Sequence, residues 1–231
     1  MNPETSRQYN SQYGERAYRP EVPDDTIWGR VIKPNLVTYA IIVICIAVFL
    51  VEMVDLQMAA PYAMWPDDPM PWMFVTSIFI HIDFTHLFFN MFMLFMFGVT
   101  LERMIGPYRF LGLFLVAGVV GNLGYVVYCL ATGITNPAIG ASGAIYGVFT
   151  CLAILAPNIR VYLFFFIPLK IIHALMLYAV IDILFIQSDD NIAHAAHIAG
   201  LLVGLVFALY LKKKLLEKQS YSVSYQFNAE Q

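Results

Sequence analysis

Six stretches of the chain are apolar over about the length of a membrane-crossing helix, and polar segments separate them. A helix rises about 1.5 Å per residue and the hydrocarbon of a bilayer is roughly 30 Å thick, so about 20 mostly apolar residues make a span. The pattern predicts spans over residues 36–54, 84–101, 110–131, 138–156, 171–187 and 193–211. The apolar run 161–169 carries Pro168 and is flanked by Arg160 and Lys170, and it reads as an interfacial connection between spans four and five. Residues 55–83 hold Pro61, Pro66, Pro69, Pro71, Trp65 and Trp72. Proline argues against a span and tryptophan prefers the headgroup level, so this loop is expected to be a structured element in the outer interface. The fold class that follows is an all-α membrane protein, a six-transmembrane-helix bundle. Residues 1–35 are expected to form a flexible cytoplasmic extension, 36–211 the six-span domain and 212–231 a cytoplasmic basic tail. The first 30 residues show no apolar core of a cleavable signal peptide.

Composition agrees with lipid as the solvent. Of the 231 residues 60% are hydrophobic and 13% charged, which argues against a soluble globular enzyme, a disordered chain or a nucleic-acid binder. Charge distribution adds an orientation. Arg7, Arg16, Arg19, Arg30 and Lys33 precede span one, Arg103 and Arg109 follow span two, Arg160 and Lys170 follow span four, and Lys212, Lys213, Lys214 and Lys218 follow span six. These are all 13 basic residues of the chain, and every one falls on the same side of the six-span arrangement. Lys and Arg favour cytoplasmic loops, so both termini are expected in the cytoplasm. Cys45, Cys129 and Cys151 lie in apolar runs without a CxxC and read as buried free thiols.

Polar groups inside spans are costly and need a reason. His86 and Asn90 fall near the start of span two, Ser142 near the start of span four, and His194 and His197 near the start of span six. These spans run in the same direction, so the groups share one shallow layer, with Ser142 and His197 roughly 6–9 Å below the outer edge of the hydrocarbon. His86 and Asn90 are i and i+4, as are Ser142 and Tyr146, so each pair shares a helix face. His197, Gly200 and Gly204 form one stripe, and Gly140, Gly143 and Gly147 remove bulk around Ser142. Small residues let helices pack backbone to backbone in lipid, which would bring Ser142 Oγ within reach of His197.

The chemistry open to this set is acyl transfer. A serine hydroxyl needs a base to take its proton, and imidazole suits that task. His86, the Asn90 amide and the Ser142 backbone N–H can donate to an oxyanion, helped by the positive end of the helix dipole. Tyr146, one turn beyond Ser142, can pack its ring on His197. His194 and His197 form an HxxH pair, but no acidic ligand lies on the same stripe, so no metal is expected and His194 reads as a polar residue at the site's mouth.

Three motifs carry a resemblance: His81-x4-His86-x3-Asn90, Gly140-Ala-Ser142-Gly-x-x-Tyr146, and Ala196-His197-x2-Gly200-x3-Gly204. In this order, on spans two, four and six, they resemble the rhomboid intramembrane serine proteases over roughly residues 54–211. The resemblance implies a Ser142–His197 dyad without a third acid, and an oxyanion hole of His86, Asn90 and the Ser142 amide. It implies no cofactor. It also matches His81 to a histidine supporting oxyanion-side polarity, and Glu102 and Arg103 to a structural feature at the cytoplasmic end of span two. Span five becomes a lateral gate; Asp182 sits at a depth that would suit a triad acid, but the resemblance offers no such role, so it reads as polarity at the gate's rim. Met73 after Trp72 departs from the family's Trp-Arg, removing an arginine contact that steadies the outer loop. The implied activity is cleavage of single-span membrane proteins near the extracytoplasmic face, in the cell membrane of a prokaryote.

Two rivals come from other classes. A catalytically silent relative that binds membrane clients typically lacks the serine or the histidine, and both are present here. A His-lined transporter needs a polar path, whereas the inner halves of spans two, four and six are almost wholly apolar. A soluble α/β-hydrolase is excluded by the spans, and Ala144 breaks its G-x-S-x-G turn.

Overall fold

The computed structural model describes residues 35–163, 166–188 and 193–229. The expected N-terminal extension, Asn35 apart, lies outside them, as do Asp189 and Asp190. The chain is mostly helical. We number its long helices α1 (Leu36–Glu52), α2 (Phe84–Ile105), α3 (Pro107–Thr132), α4 (Ser142–Leu155), α5 (Ile171–Leu184) and α6 (His194–Ala229). Among the described residues, α2, α3 and the 194–214 part of α6 are long and apolar enough to cross a membrane, while α1, α4 and α5 are shorter apolar helices.

Local chemistry explains several boundaries. Asp83 caps α2 by accepting the His86 backbone N–H at 2.8 Å. Gly106, at φ 84°, ends α2, and Pro107 at the first position of α3 has no N–H to leave unsatisfied. The start of α1 is capped from another helix. Glu102 of α2, 1% exposed, accepts from Val37 N at 3.1 Å, Thr38 N at 2.8 Å and Thr38 Oγ1 at 2.6 Å. Its neighbour Arg103 donates from Nε to Asn35 Oδ1 at 3.2 Å. The pair matched to a family feature thus ties α2 to the otherwise unpaired N–H groups of α1.

Two sequence expectations are corrected. The all-α reading gives way at 160–170, where β1 (Arg160–Leu163) pairs antiparallel with β2 (Ile167–Lys170), Arg160 facing Lys170. Pro168 is tolerated because a two-stranded hairpin has only edge strands. Span four does not begin at Ala138. Ala138 instead exchanges backbone bonds with Met64 of the loop, 3.0 and 2.9 Å, and the helix starts at Ser142. Ser142 is therefore the first residue of its helix. Helix α6 continues to Ala229, through residues 212–229 of the expected tail.

The loop between α1 and α2 is ordered by its own side chains. Trp65 Nε1 donates to Ala60 O at 2.8 Å, Trp72 Nε1 to Pro61 O at 3.1 Å, and Thr76 Oγ1 to Tyr62 O at 2.7 Å. Met73, standing where the resemblance implied an arginine, is buried, and its sulfur accepts from Met70 N at 3.4 Å. Asn122 of α3 anchors the loop from below, donating to Phe74 O and Ser77 Oγ, both at 2.9 Å.

Helix α4 sits at the centre, with ten of its 14 residues buried. Burial on nearly every side explains why it is apolar all round. Its glycines make this possible. A Cβ on Gly200 of α6 would collide with Gly143 O, and one on Gly204 with Gly147 O. On the far side, a Cβ on Gly121 of α3 would lie 3.0 Å from Ala196 O. The backbones of α3, α4 and α6 therefore approach as closely as glycine allows. Outward-facing Val43, Phe88, Val127, Val180, Leu202 and Val206 are exposed, a surface suited to lipid rather than water. All three cysteines are free and buried.

Candidate active site

The close approach of α4 and α6 brings the two polar residues of this seam together. Ser142 Oγ lies 2.8 Å from His197 Nε2, a hydrogen bond between a half-buried hydroxyl and a buried imidazole. The Tyr146 ring stacks on His197 with centroids 4.4 Å apart and planes 11° from parallel. That ring fixes the plane in which both imidazole nitrogens point. At the first position of α4, Ser142 has a backbone N–H without an intrahelical acceptor, and the positive end of the helix dipole lies beside it.

The other ring nitrogen of His197 has a partner whose depth the sequence shows and whose role the resemblance set aside. Nδ1 lies 2.8 Å from Oδ1 of Asp182, near the end of α5. The same oxygen lies 2.6 Å from Nδ1 of His194. Asp182 is 2% exposed, so it is not polarity on the rim of a gate, and the two-membered reading without an acid is incomplete in this structure. The argument against an acid beside His194 also fails. It searched one helix stripe, whereas the carboxylate arrives from a different helix, and one ligand atom each from Asp182, His194 and His197 lie within 4.8 Å of one another. A signal was present in the sequence. Asp182 is the single charged residue of α5, close to the helix end that shares a layer with His194 and His197.

His86 and Asn90 lie on one face of α2, but they do not form a finished donor pair. The His86 ring rests against Gly140, where a Cβ would come within 2.6 Å of Cε1 and 2.7 Å of Nε2. Gly140 has φ 111°, open only to glycine at low cost, and its N–H donates to Ser77 O at 2.9 Å. The loop is thus shaped to carry an imidazole two residues before Ser142. Asn90 Nδ2 donates to His86 O at 2.9 Å, within its own helix, which leaves one amide hydrogen for another acceptor. His86 Nδ1 and Asn90 Oδ1 are buried without a protein partner.

His81 stands behind this layer, its ring edge-on to His86 with centroids 5.2 Å apart. Its Nδ1 lies 3.2 Å from Phe79 O, and it is 2% exposed. Burial, with the neighbouring His86 adding to it, pulls its pKa down to about 4, so this imidazole is neutral near pH 7.

Chemically, the arrangement offers a nucleophile bonded to a base, a base held by an aromatic ring and a carboxylate, and donors beside a helix N-terminus. The comparisons with known proteins agree on one family. The Rhomboid domain model matches residues 68–214. The rhomboid protein YdcA of Bacillus subtilis is 35% identical over 156 residues, 62% of this chain and 68% of its own length. Rhomboid protein 1 of Saccharomyces cerevisiae mitochondria is 32% identical over 152 residues, 63% of this chain and 43% of its own length. Rhomboid protease GluP of Bacillus subtilis is 34% identical over 140 residues, 61% of this chain but 26% of its own length. The matched stretch holds Ser142, His197, His86 and Asn90, and on these grounds the chain belongs to the rhomboid family.

Proposed function

We propose that the protein is an intramembrane serine endopeptidase acting on single-span membrane proteins. The observation that carries this reading is the 2.8 Å bond from Ser142 to His197 Nε2. As Ser142 Oγ attacks the scissile carbonyl carbon, its proton passes to Nε2, and the new C–O bond leaves negative charge on the carbonyl oxygen. Donors for that oxygen are the Ser142 N–H, the free hydrogen of Asn90 and the His86 ring. Collapse of the intermediate breaks the C–N bond, and the Nε2 proton leaves with the amine. Water then attacks the acyl-serine along the same path, with His197 again the base.

The bilayer enters as solvent and partner. The six apolar helices are read as six spans, with both termini cytoplasmic and the site near the outer face of a prokaryotic cell membrane. The substrate approaches beside α5. The test is cleavage of a panel of single-span substrates in proteoliposomes, with the cut site read by mass spectrometry. Wild type is expected to cleave, and Ser142→Ala and His197→Ala to be silent while folded. Full cleavage by Ser142→Ala would refute the assignment. A client-binding protein without activity would show no Ser142 labelling by a fluorophosphonate.

A further inference from the structure

We infer that Asp182 is a positioning residue for His197, making the working unit a Ser142–His197–Asp182 relay of contacts with His194 as the second anchor of the carboxylate. This deepens the protease reading and rests on it. His197 can accept a proton at Nε2 only if its own proton sits on Nδ1. In the structure the group facing Nδ1 is Oδ1 of Asp182 at 2.8 Å, an acceptor that selects this tautomer. When His197 takes the serine proton, the imidazolium formed is already paired with a carboxylate, which keeps its negative charge and receives no proton.

The location makes this contact informative. A carboxylate near the C-terminal end of α5 is disfavoured by the helix dipole and by burial. Two imidazole N–H donors compensate it, from His197 at 2.8 Å and His194 at 2.6 Å. Distance also separates hydrogen bonding from metal binding. Ligand atoms around a tetrahedral zinc, with bonds of about 2.0 Å, stand about 3.3 Å apart. Contacts of 2.6 and 2.8 Å are shared-proton distances. A metal on Nδ1 would moreover force the His197 proton to Nε2, where it would face Ser142 as a donor and end the base function.

The experiment compares wild type, Ser142→Ala, Asp182→Asn and Asp182→Ala in proteoliposomes, with 15N-histidine spectra of the same proteins in detergent. In Asp182→Asn the amide nitrogen donates to Nδ1 and inverts the tautomer. Its kcat is expected to fall on the order of 10³–10⁴-fold with KM within about two-fold, and Ser142 labelling by a fluorophosphonate to fall in parallel. In wild type the His197 signals should show a protonated Nδ1 and a bare Nε2. If both Asp182 variants keep kcat within about three-fold of wild type while Ser142→Ala is dead, the positioning role is overturned and the protease reading stands. If wild type is as inactive as Ser142→Ala, the protease reading fails, and the spectra still decide the pairing. Should the variants not fold, the wild-type tautomer alone decides, and a proton on Nε2 overturns the inference. Stoichiometric zinc whose removal shifts the Nδ1 signal would overturn it too.

Discussion

Helices α4 and α5 are both apolar and both 14 residues long, yet the bundle holds them by different means. Ten residues of α4 are buried, and its backbone touches that of α6 at Gly143 and Gly147. In α5 only Ile171, Ala174, Leu175 and Asp182 are buried. Its far end is held by polar bonds: Asp182 to the two histidines, and Tyr128 Oη of α3 donating to Ile186 O at 2.7 Å. Ser142 and His197 are therefore carried by closely packed helices, whereas Asp182 is held by hydrogen bonds on a helix with little packing of its own. One helix is a wall. The other is a leaf fastened at its edge.

Forcing the wall apart should have the largest effect. Gly200→Val places branched carbons against Gly143 O, and we expect loss of more than about 3 kcal/mol of stability and of all cleavage, read by thermal unfolding in detergent and by the proteoliposome assay. Activity retained in this variant would break the contrast between α4 and α5. Acid probes the same packed side. His81 has a folded pKa of about 4 against an ordinary 6.5, so its contribution is complete above pH 6.5 and is lost as pH falls from 6.5 towards 4. The shift corresponds to at most about 3 kcal/mol. Melting curves at pH 7.5 and 5 should differ in wild type and differ less in His81→Phe.

Gly140→Ala comes next. A side chain at φ 111° is strained by about 1–3 kcal/mol and displaces His86, so kcat should fall about 10²-fold with Ser142–His197 intact. Fluorophosphonate labelling measured beside peptide cleavage will separate the two effects. Smallest in stability is Tyr128→Phe, which removes one bond from the end of α5 and should cost about 1 kcal/mol or less. It should nonetheless change cleavage more than it changes the melting temperature. A large loss of stability would show that α5 is a wall as well.

What the sequence made legible is what helical periodicity controls. Ser142 with Tyr146, and His197 with Gly200 and Gly204, are same-face relations at fixed spacing, and glycine at the seam leaves few ways to pack. Asp182 was set aside because the resemblance offers no acid, and its partners sit 12 and 15 residues away on another helix, across a connection whose path periodicity does not set. The start of α4 was misplaced for a related reason. Ala138 and Ile139 continue the apolar run, but Pro137, the bridge to Met64 and the positive φ of Gly140 keep that segment out of the helix until Ser142. The hairpin at 160–170 was concealed by a proline that an edge strand accepts.

Glu102 carries a last consequence. It lies inside the stretch that the family model covers, while the three donors it serves belong to Val37 and Thr38, outside it. Cutting the chain to 68–214 would remove α1 with all three donors, so the Glu102 carboxylate would lose its partners and its cover together. The stretch shared with the family is thus smaller than the unit that Glu102 ties together.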